Sequence, residues 1–157
     1  MARQGSTRLR GKMLLPFGNS TVIETVIERI SASNLIDELV FATTDSEADS
    51  IFEAVARKYD ISIFRGSEDD VTERMTQACQ CFKKHPDVIV RVCGDSPLLM
   101  PSTVDSAVTE LIARRADVIT YAEFNTYPFG YPMVAMTRSC LEEIDREAVS
   151  ATYREHV

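Results

Sequence analysis

The first residues of the chain combine glycines, hydroxyl groups and cations in a pattern that suits polyphosphate binding. In the segment ARQGSTRLRGK (2–12), glycines let backbone amides approach phosphate oxygens, hydroxyls add donors, and cations neutralise charge. The residues with these properties are Arg3, Gly5, Ser6, Thr7, Arg8, Gly11 and Lys12. The segment lacks the GxxxxGK[ST] spacing of a Walker A loop. Its spacing therefore leaves two interpretations open, an anion site or a turn with surface arginines.

A second loop, CGDSP (93–97), places Asp95 directly after the apolar run VIVRV (88–92). A carboxylate at this position suits Mg²⁺ held between the protein and substrate phosphates. The alternative is a turn aspartate that accepts hydrogen bonds from its own backbone before Pro97. The turn is favoured when the loop is taken alone, and the metal is favoured once the loop is combined with the cationic segment.

A third loop, RGSEDD (65–70), ends in three acids that suit the positive N-terminus of a following helix. We therefore expect Arg65 and Ser67, rather than the acids, to meet a ligand. No Cys–His, Ser–His or zinc spacing is present in the sequence, so covalent catalysis is not expected. The four cysteines show no framework spacing, and we interpret them as reduced thiols of a cytoplasmic protein.

Composition limits the class of protein. The 157 residues are enough for one domain, which we expect to cover residues 1–157. A net charge of −7 argues against non-specific binding to nucleic acid, although residues 1–23 contain no acid. No apolar run is long enough to predict a membrane span.

Apolar patterning predicts alternating strands and helices, which is typical of an α/β protein with a parallel sheet. The predicted strands are 38–45, 61–64, 88–92 and 117–122. The predicted helices run from Thr21 to about 33, from Ser46, over 71–84, from Ser102 and from Ser139, with residues 123–138 as a loop or edge region. The carboxyl ends of parallel strands meet at one sheet edge, so the loops that follow them can share one ligand site.

These motifs resemble a known family. ARQGSTRLRGK is similar to the A-R-x-G-S-x-R-L-P-G-K signature of the cytidylyltransferases that activate acidic sugars, and most similar to their SpsF-like branch in spore-coat polysaccharide biosynthesis. The resemblance continues in order through VFATTD, FRGSEDDV, RVCGDSPLL and YREHV, so it covers nearly the whole chain.

The resemblance implies a Rossmann-like nucleotide-diphospho-sugar transferase fold with a mostly parallel sheet flanked by helices. It also implies Mg²⁺-dependent transfer of CMP from CTP to a sugar, expected to be acidic, with release of pyrophosphate. The expected setting is the synthesis of surface or spore-coat polysaccharide, and dimers are common in the family.

By matching position, the resemblance assigns roles to individual residues. Lys12, Arg8 and Asp95 would be catalytic, with Asp95 holding the metal. The nucleotide would be bound by Ala2, Arg3, Gly5, Ser6, Arg8, Lys12, Arg65 and Ser67.

The sequence also departs from the family pattern. Arg10 replaces a proline, and Pro132 and Val134 stand where relatives carry the acids of G-x-D-x-E. The family has an apolar strand before A-R-x-G-S and a further segment after the position of Val157. We therefore expect a chain shortened at both ends that lacks the first family strand and turns over weakly or not at all. The alternative is a catalytically weak or inactive nucleotide-binding relative that pairs with a partner chain.

Overall fold

A computed structural model describes residues 1–3, 5, 9–121 and 132–155. Within these residues, the strands are β1 (Pro16–Phe17), β2 (Ser20–Thr21), β3 (Val40–Thr44), β4 (Ser62–Gly66), β5 (Val88–Val92), β6 (Val118–Thr120) and β7 (Met133–Thr137). The α-helices are α1 (Val22–Ser31), α2 (Phe52–Lys58), α3 (Val71–Ala78), α4 (Pro101–Arg114), α5 (Arg138–Glu147) and α6 (Ala151–Glu155). Short 3₁₀ helices cover Lys12–Leu14, Glu47–Ile51 and Cys79–Cys81. The chain is therefore an α/β protein, as expected.

The chain divides into two compact units, each assembled from two separate segments. The first unit contains Met1–Asp37 and Val88–Thr137, and the second contains Glu38–Asp87 and Arg138–Val157. The expectation of one domain over residues 1–157 stays a prediction.

The first unit is built on a three-stranded sheet in the order β5-β7-β6, with both pairs antiparallel. Helix α4 contacts all three strands and also contacts α1. The capping box predicted at the start of α1 is confirmed, because Thr21 and Glu24 exchange backbone and side-chain hydrogen bonds. The prediction that Ser102 caps α4 is wrong, because Met100 is the N-cap and Pro101 lies in the first helical turn. Proline suits that turn because it has no amide hydrogen to satisfy.

Strand β7 was missed by the sequence prediction. It lies in the stretch expected to be a loop or edge region, yet it pairs with β5 on one side and β6 on the other. Met133, Ala135 and Met136 are buried. Methionine and alanine are weak indicators of a strand, and the preceding Pro132 favours a loop. The sheet of this unit is therefore antiparallel, whereas the alternation of elements predicted parallel pairing.

The second unit contains the parallel pair that the sequence predicts. Strands β3 and β4 pair from Val40–Ser62 to Thr44–Gly66, with the 3₁₀ helix Glu47–Ile51 and α2 between them in the chain. Helix α3 is shorter than predicted, since the chain tightens into a 3₁₀ helix at Cys79–Cys81. Helices α5 and α6 both contact α3. α5 begins at Arg138, one residue before the expected cap at Ser139.

The four cysteines form no disulfide. No helix in the described part of the chain is both long enough and apolar enough to cross a membrane.

Candidate functional site

The beginning of the chain lies against the loop that carries Asp95. The amino group of Met1 donates a hydrogen bond to the carbonyl oxygen of Val92 over 2.7 Å. The amide of Gly94 donates to the carbonyl oxygen of Met1 over 2.8 Å. These two bonds fix the start of the cationic segment beside the carboxyl end of β5.

Gly94 is required by this close approach. A Cβ atom at position 94 would lie 2.7 Å from the Cβ of Ala2 and 2.8 Å from the Cδ1 of Ile23. Contacts this short force neighbouring atoms to move, so a side chain at this position would push the segment away from the loop. Ala2 is buried, which is consistent with packing at this contact.

Lys12 is positioned by a tight turn. Gly11 adopts a left-handed conformation with φ of 65°, and Lys12 begins the 3₁₀ helix that follows. Met13 is buried and anchors this helix. The neighbouring Lys12 side chain remains about one-quarter exposed, with 25% of its surface accessible.

The Nζ amine of Lys12 donates a hydrogen bond to the carboxylate of Asp95. The structure therefore brings together two residues that the sequence assigned to one site. Among the described residues, this amine is the hydrogen-bond partner of the carboxylate, rather than a backbone amide of its own turn. The turn is closed instead by backbone bonds from Ser96 to Cys93 and from Leu99 to Ser96.

The structure describes only some of the other residues of the cationic segment that were expected to bind the nucleotide. Arg3 is half-buried and Gly5 is exposed. Ser6 and Arg8 lie outside the described residues. Their assignment to the nucleotide stays a prediction.

Arg65 and Ser67 make contacts within the second unit. The guanidinium of Arg65 donates to the carbonyl oxygens of Thr44, Asp45 and Ser46, and its Nη1 lies 2.6 Å from the carboxylate of Glu53. Arg65 therefore holds the loop that follows β3. The Ser67 hydroxyl accepts a hydrogen bond from the Asp70 amide over 3.0 Å. Binding of a nucleotide by either residue stays a prediction.

The sequence prediction did not identify the role of Asp49. It was taken as part of a helix start with Ser46, but Ser46 makes no side-chain cap. The buried carboxylate of Asp49 instead accepts hydrogen bonds from the Thr43 hydroxyl over 3.0 Å and from the amide and hydroxyl of Thr44. It therefore fixes the carboxyl end of β3. The available signal was the polar end of the run VFATTD, followed four residues later by an acid.

The carboxylate of Asp95 could serve as one ligand of a metal ion. Over the described ranges, no group of three or more His, Cys, Asp or Glu side chains is placed to hold a metal ion. Mg²⁺ is commonly held by one or two carboxylates, with substrate phosphates and water completing its coordination. A single exposed carboxylate beside a cation therefore fits a Mg²⁺ ion that arrives with a triphosphate, and does not form a metal cage by itself.

Comparison with known proteins identifies the class. The family model described as cytidylyltransferase matches residues 1–156. The chain belongs to the cytidylyltransferase family, which confirms the resemblance seen in the motifs.

Individual relatives sharpen this assignment. The chain is 34% identical to the spore coat polysaccharide biosynthesis protein SpsF of Bacillus subtilis, over 99% of this chain and 65% of that protein. It is 31% identical to the 3-deoxy-manno-octulosonate cytidylyltransferase of Zea mays, over 70% of this chain and 36% of that protein. The solved structure of a cytidylyltransferase from Leptospira borgpetersenii has a TM-score of 0.91 and 34% identity, covering 99% of this chain and 65% of that one. The chain thus spans slightly less than two thirds of SpsF and of the Leptospira protein.

Proposed function

We propose that this chain carries the nucleotide site of a Mg²⁺-dependent cytidylyltransferase, which transfers CMP from CTP to an acidic sugar. The contact between Lys12 and Asp95 carries this proposal. It places a cation and a potential metal ligand together, as a metal-bound triphosphate requires. The Zea mays relative, a 3-deoxy-manno-octulosonate cytidylyltransferase, supports the acidic sugar, and SpsF supports a role in surface or spore-coat polysaccharide synthesis.

The proposed reaction needs charge neutralisation and positioning rather than a protein nucleophile. A hydroxyl oxygen of the sugar bonds to the α-phosphorus of CTP, the bond from that phosphorus to the pyrophosphate oxygen breaks, and the hydroxyl proton passes to solvent. Negative charge grows on the departing pyrophosphate. The Lys12 amine would stabilise that charge, and Ala2, Arg3, Gly5, Ser6 and Arg8 would hold the triphosphate.

Asp95 would hold the metal. When bound, Mg²⁺ supplies further neutralisation of the phosphate oxygens. In this arrangement, the Lys12 amine leaves the Asp95 carboxylate for a phosphate oxygen, so that each member of the ion pair gains a ligand of opposite charge.

The finer fold assignment is also a proposal. A Rossmann-like arrangement is supported by the parallel pair β3–β4 and by the similarity to the Leptospira structure. A single domain is supported by the family model, whose match extends over residues 1–156.

The test is pyrophosphate release from CTP and Mg²⁺ in the presence of a panel of acidic sugars, with their neutral counterparts for comparison. We expect release with acidic acceptors only, and we expect Lys12→Ala and Asp95→Asn each to abolish it. Lys84→Ala and Asp37→Asn change exposed residues of the same charge and should leave the rate unchanged.

Two results would contradict the proposal. Full activity in Lys12→Ala or Asp95→Asn would show that the reaction does not require the ion pair. Calorimetric binding of CTP without pyrophosphate release from any acceptor would favour the inactive nucleotide-binding relative instead.

A further inference from the structure

The ion pair between Lys12 and Asp95 joins two side chains whose backbones are held separately. The buried Met13 anchors the 3₁₀ helix that begins at Lys12. The turn that carries Asp95 is closed by a hydrogen bond from the Ser96 amide to the Cys93 carbonyl oxygen over 3.2 Å. The two charged groups can therefore separate by rotation of their own side chains, while both backbones stay in place.

Each of these two charged groups is neutralised by the other. In the part of the chain that the structure describes, neither Lys12 nor Asp95 forms a second ion pair. Both side chains are partly exposed, so a ligand from solvent can reach either of them. A ligand that takes one member of the pair therefore leaves the other member with an unbalanced charge.

The pair opposes the binding of a metal ion or a triphosphate that arrives alone. A metal ion that binds the Asp95 carboxylate displaces the Lys12 amine and leaves it beside a second positive charge. A metal-free triphosphate that binds the Lys12 amine leaves the Asp95 carboxylate beside further negative charge. Like charges at short distance repel each other, and in both cases the attraction within the pair is also lost.

A metal-bound triphosphate avoids both of these losses. Its phosphate oxygens accept hydrogen bonds from the Lys12 amine, and its metal ion binds the Asp95 carboxylate, so each charge exchanges one partner for another. The ion pair then opens once for two ligands. The binding of either ligand therefore favours the binding of the other, and such coupling is reciprocal.

We infer that the Lys12–Asp95 ion pair selects a metal-bound polyphosphate over the free metal ion and the free polyphosphate. This inference rests on the proposed transferase function and adds a regulatory property to its site, namely that nucleotide and metal bind cooperatively. It predicts an effect that a simple ligand role does not. Removing either member of the pair improves the binding of the single ligand that the remaining member holds.

Calorimetry with CTP in the presence of EDTA tests the anion side of the pair. Asp95→Asn should bind metal-free CTP at least about threefold more tightly than wild type, because Lys12 is released and a repelling charge is removed. Asp37→Asn removes the same charge at an exposed position and should leave the affinity unchanged. If Asp95 were a metal ligand only, the two variants would bind metal-free CTP equally.

Titration with Mn²⁺ in the absence of nucleotide tests the cation side. Free Mn²⁺ is counted by electron paramagnetic resonance. Lys12→Met should bind Mn²⁺ at least about threefold more tightly than wild type, because the Asp95 carboxylate no longer has to exchange an existing partner. Lys84→Met removes the same charge at an exposed position and should bind Mn²⁺ as wild type does.

Both gains in affinity together support the inference. The absence of either gain, in a variant whose urea unfolding matches that of wild type, overturns it. Asp95→Ser and Lys12→Gln provide the same two measurements if the first variants do not fold.

Pyrophosphate release, measured on the same samples, separates this inference from the proposed function. Variants that lose pyrophosphate release without either gain in affinity support the transferase and overturn the selection by the ion pair. Variants that show both gains, from a wild-type chain that releases no pyrophosphate with any acceptor, contradict the transferase and support the selection.

Discussion

The side chains of Lys12 and Asp95 are joined by a hydrogen bond although 83 positions separate them in the sequence. Both remain accessible to water, with 25% and 38% of their side-chain surfaces exposed. Ion pairs of this kind contribute at most about 1 kcal/mol to stability, because water already solvates both charges well. The pair is therefore weak enough to open when ligands of opposite charge arrive.

We predict that this ion pair matters for binding and little for stability. A double-mutant cycle with Lys12→Met and Asp95→Asn should give a coupling free energy of unfolding below about 1 kcal/mol in urea titrations. Lys12→Met should nevertheless reduce CTP affinity about tenfold or more, because charged hydrogen bonds to phosphate are strong. Lys84→Met is the matched control. A large coupling free energy with unchanged CTP affinity would assign the pair to folding.

Local sequence patterns identified one helix cap correctly and another incorrectly. Thr21 and Ser102 both precede apolar helical runs, and both were expected to cap them. Only Thr21 does so, with Glu24 completing the capping box. At α4 the proline before Ser102 already begins the helix, which moves the cap back to Met100 and leaves Ser102 inside the first turn.

Replacing Thr21 or Ser102 by alanine should change the free energy of unfolding by different amounts. Thr21→Ala removes the acceptor for the Glu24 amide and should lower the free energy of unfolding by about 1 kcal/mol. Ser102→Ala should change it by less than about 0.5 kcal/mol, since no cap is lost. Urea unfolding monitored by circular dichroism measures both. Equal losses in the two variants would show that the capping geometry does not determine the difference.

Long-range pairing was harder to predict than local structure. The strand at 88–92 is apolar and β-branched, and its bounds were predicted correctly. Strand β7 depends on its neighbours: each of its residues gains a partner on β5, and three also gain partners on β6, although the sequence MVAMT has weak strand propensity. The contact between Lys12 and Asp95 was predictable, because one loop carries cations that suit phosphates and the other carries a carboxylate that suits the Mg²⁺ bound to them.

The buried carboxylate of Asp49 should be important for stability. It accepts hydrogen bonds from Thr43 and Thr44, and its removal would leave buried donors without an acceptor. Asp49→Ala should therefore lower the free energy of unfolding by about 1–3 kcal/mol. Glu47→Ala, at an exposed position of the same 3₁₀ helix, should change it by less than about 0.5 kcal/mol. Urea unfolding compares the two variants, and an unaffected Asp49→Ala protein would rule out this role.

Arg154, which belongs to the motif YREHV, makes several contacts in the second unit. Arg154 joins two carboxylates, with its Nε 2.5 Å from Asp70 and its Nη2 2.6 Å from Asp145. Its carbonyl oxygen also accepts a hydrogen bond from the Thr72 hydroxyl over 3.0 Å. Asp70 is the N-cap of α3, so Arg154 links α6 to the beginning of α3 and to α5.

This cluster should make stability depend on pH in the acid range. Burial raises the pKa of Asp70, but hydrogen bonds from Arg154 and from the Glu73 amide outweigh it, so the pKa lies below its ordinary value of 3.8. A carboxyl group with a lowered pKa stabilises the fold above its unfolded pKa. That stabilisation is lost as the pH falls through the folded value. The urea concentration at the midpoint of unfolding of the wild-type chain should therefore decrease as the pH falls below about 4.

Arg154→Met tests the origin of that pH dependence. Without the guanidinium, the folded pKa of Asp70 should move towards its unfolded value, because the principal hydrogen bond that lowers it is lost. The variant should have a lower urea midpoint than wild type at pH 7, and the difference between the two should shrink as the pH falls below about 4. Arg146→Met removes a side chain that is 69% exposed, and its urea midpoint should follow that of wild type at every pH. A difference between Arg154→Met and wild type that stays constant down to pH 3 would show that Arg154 stabilises the unit by packing alone.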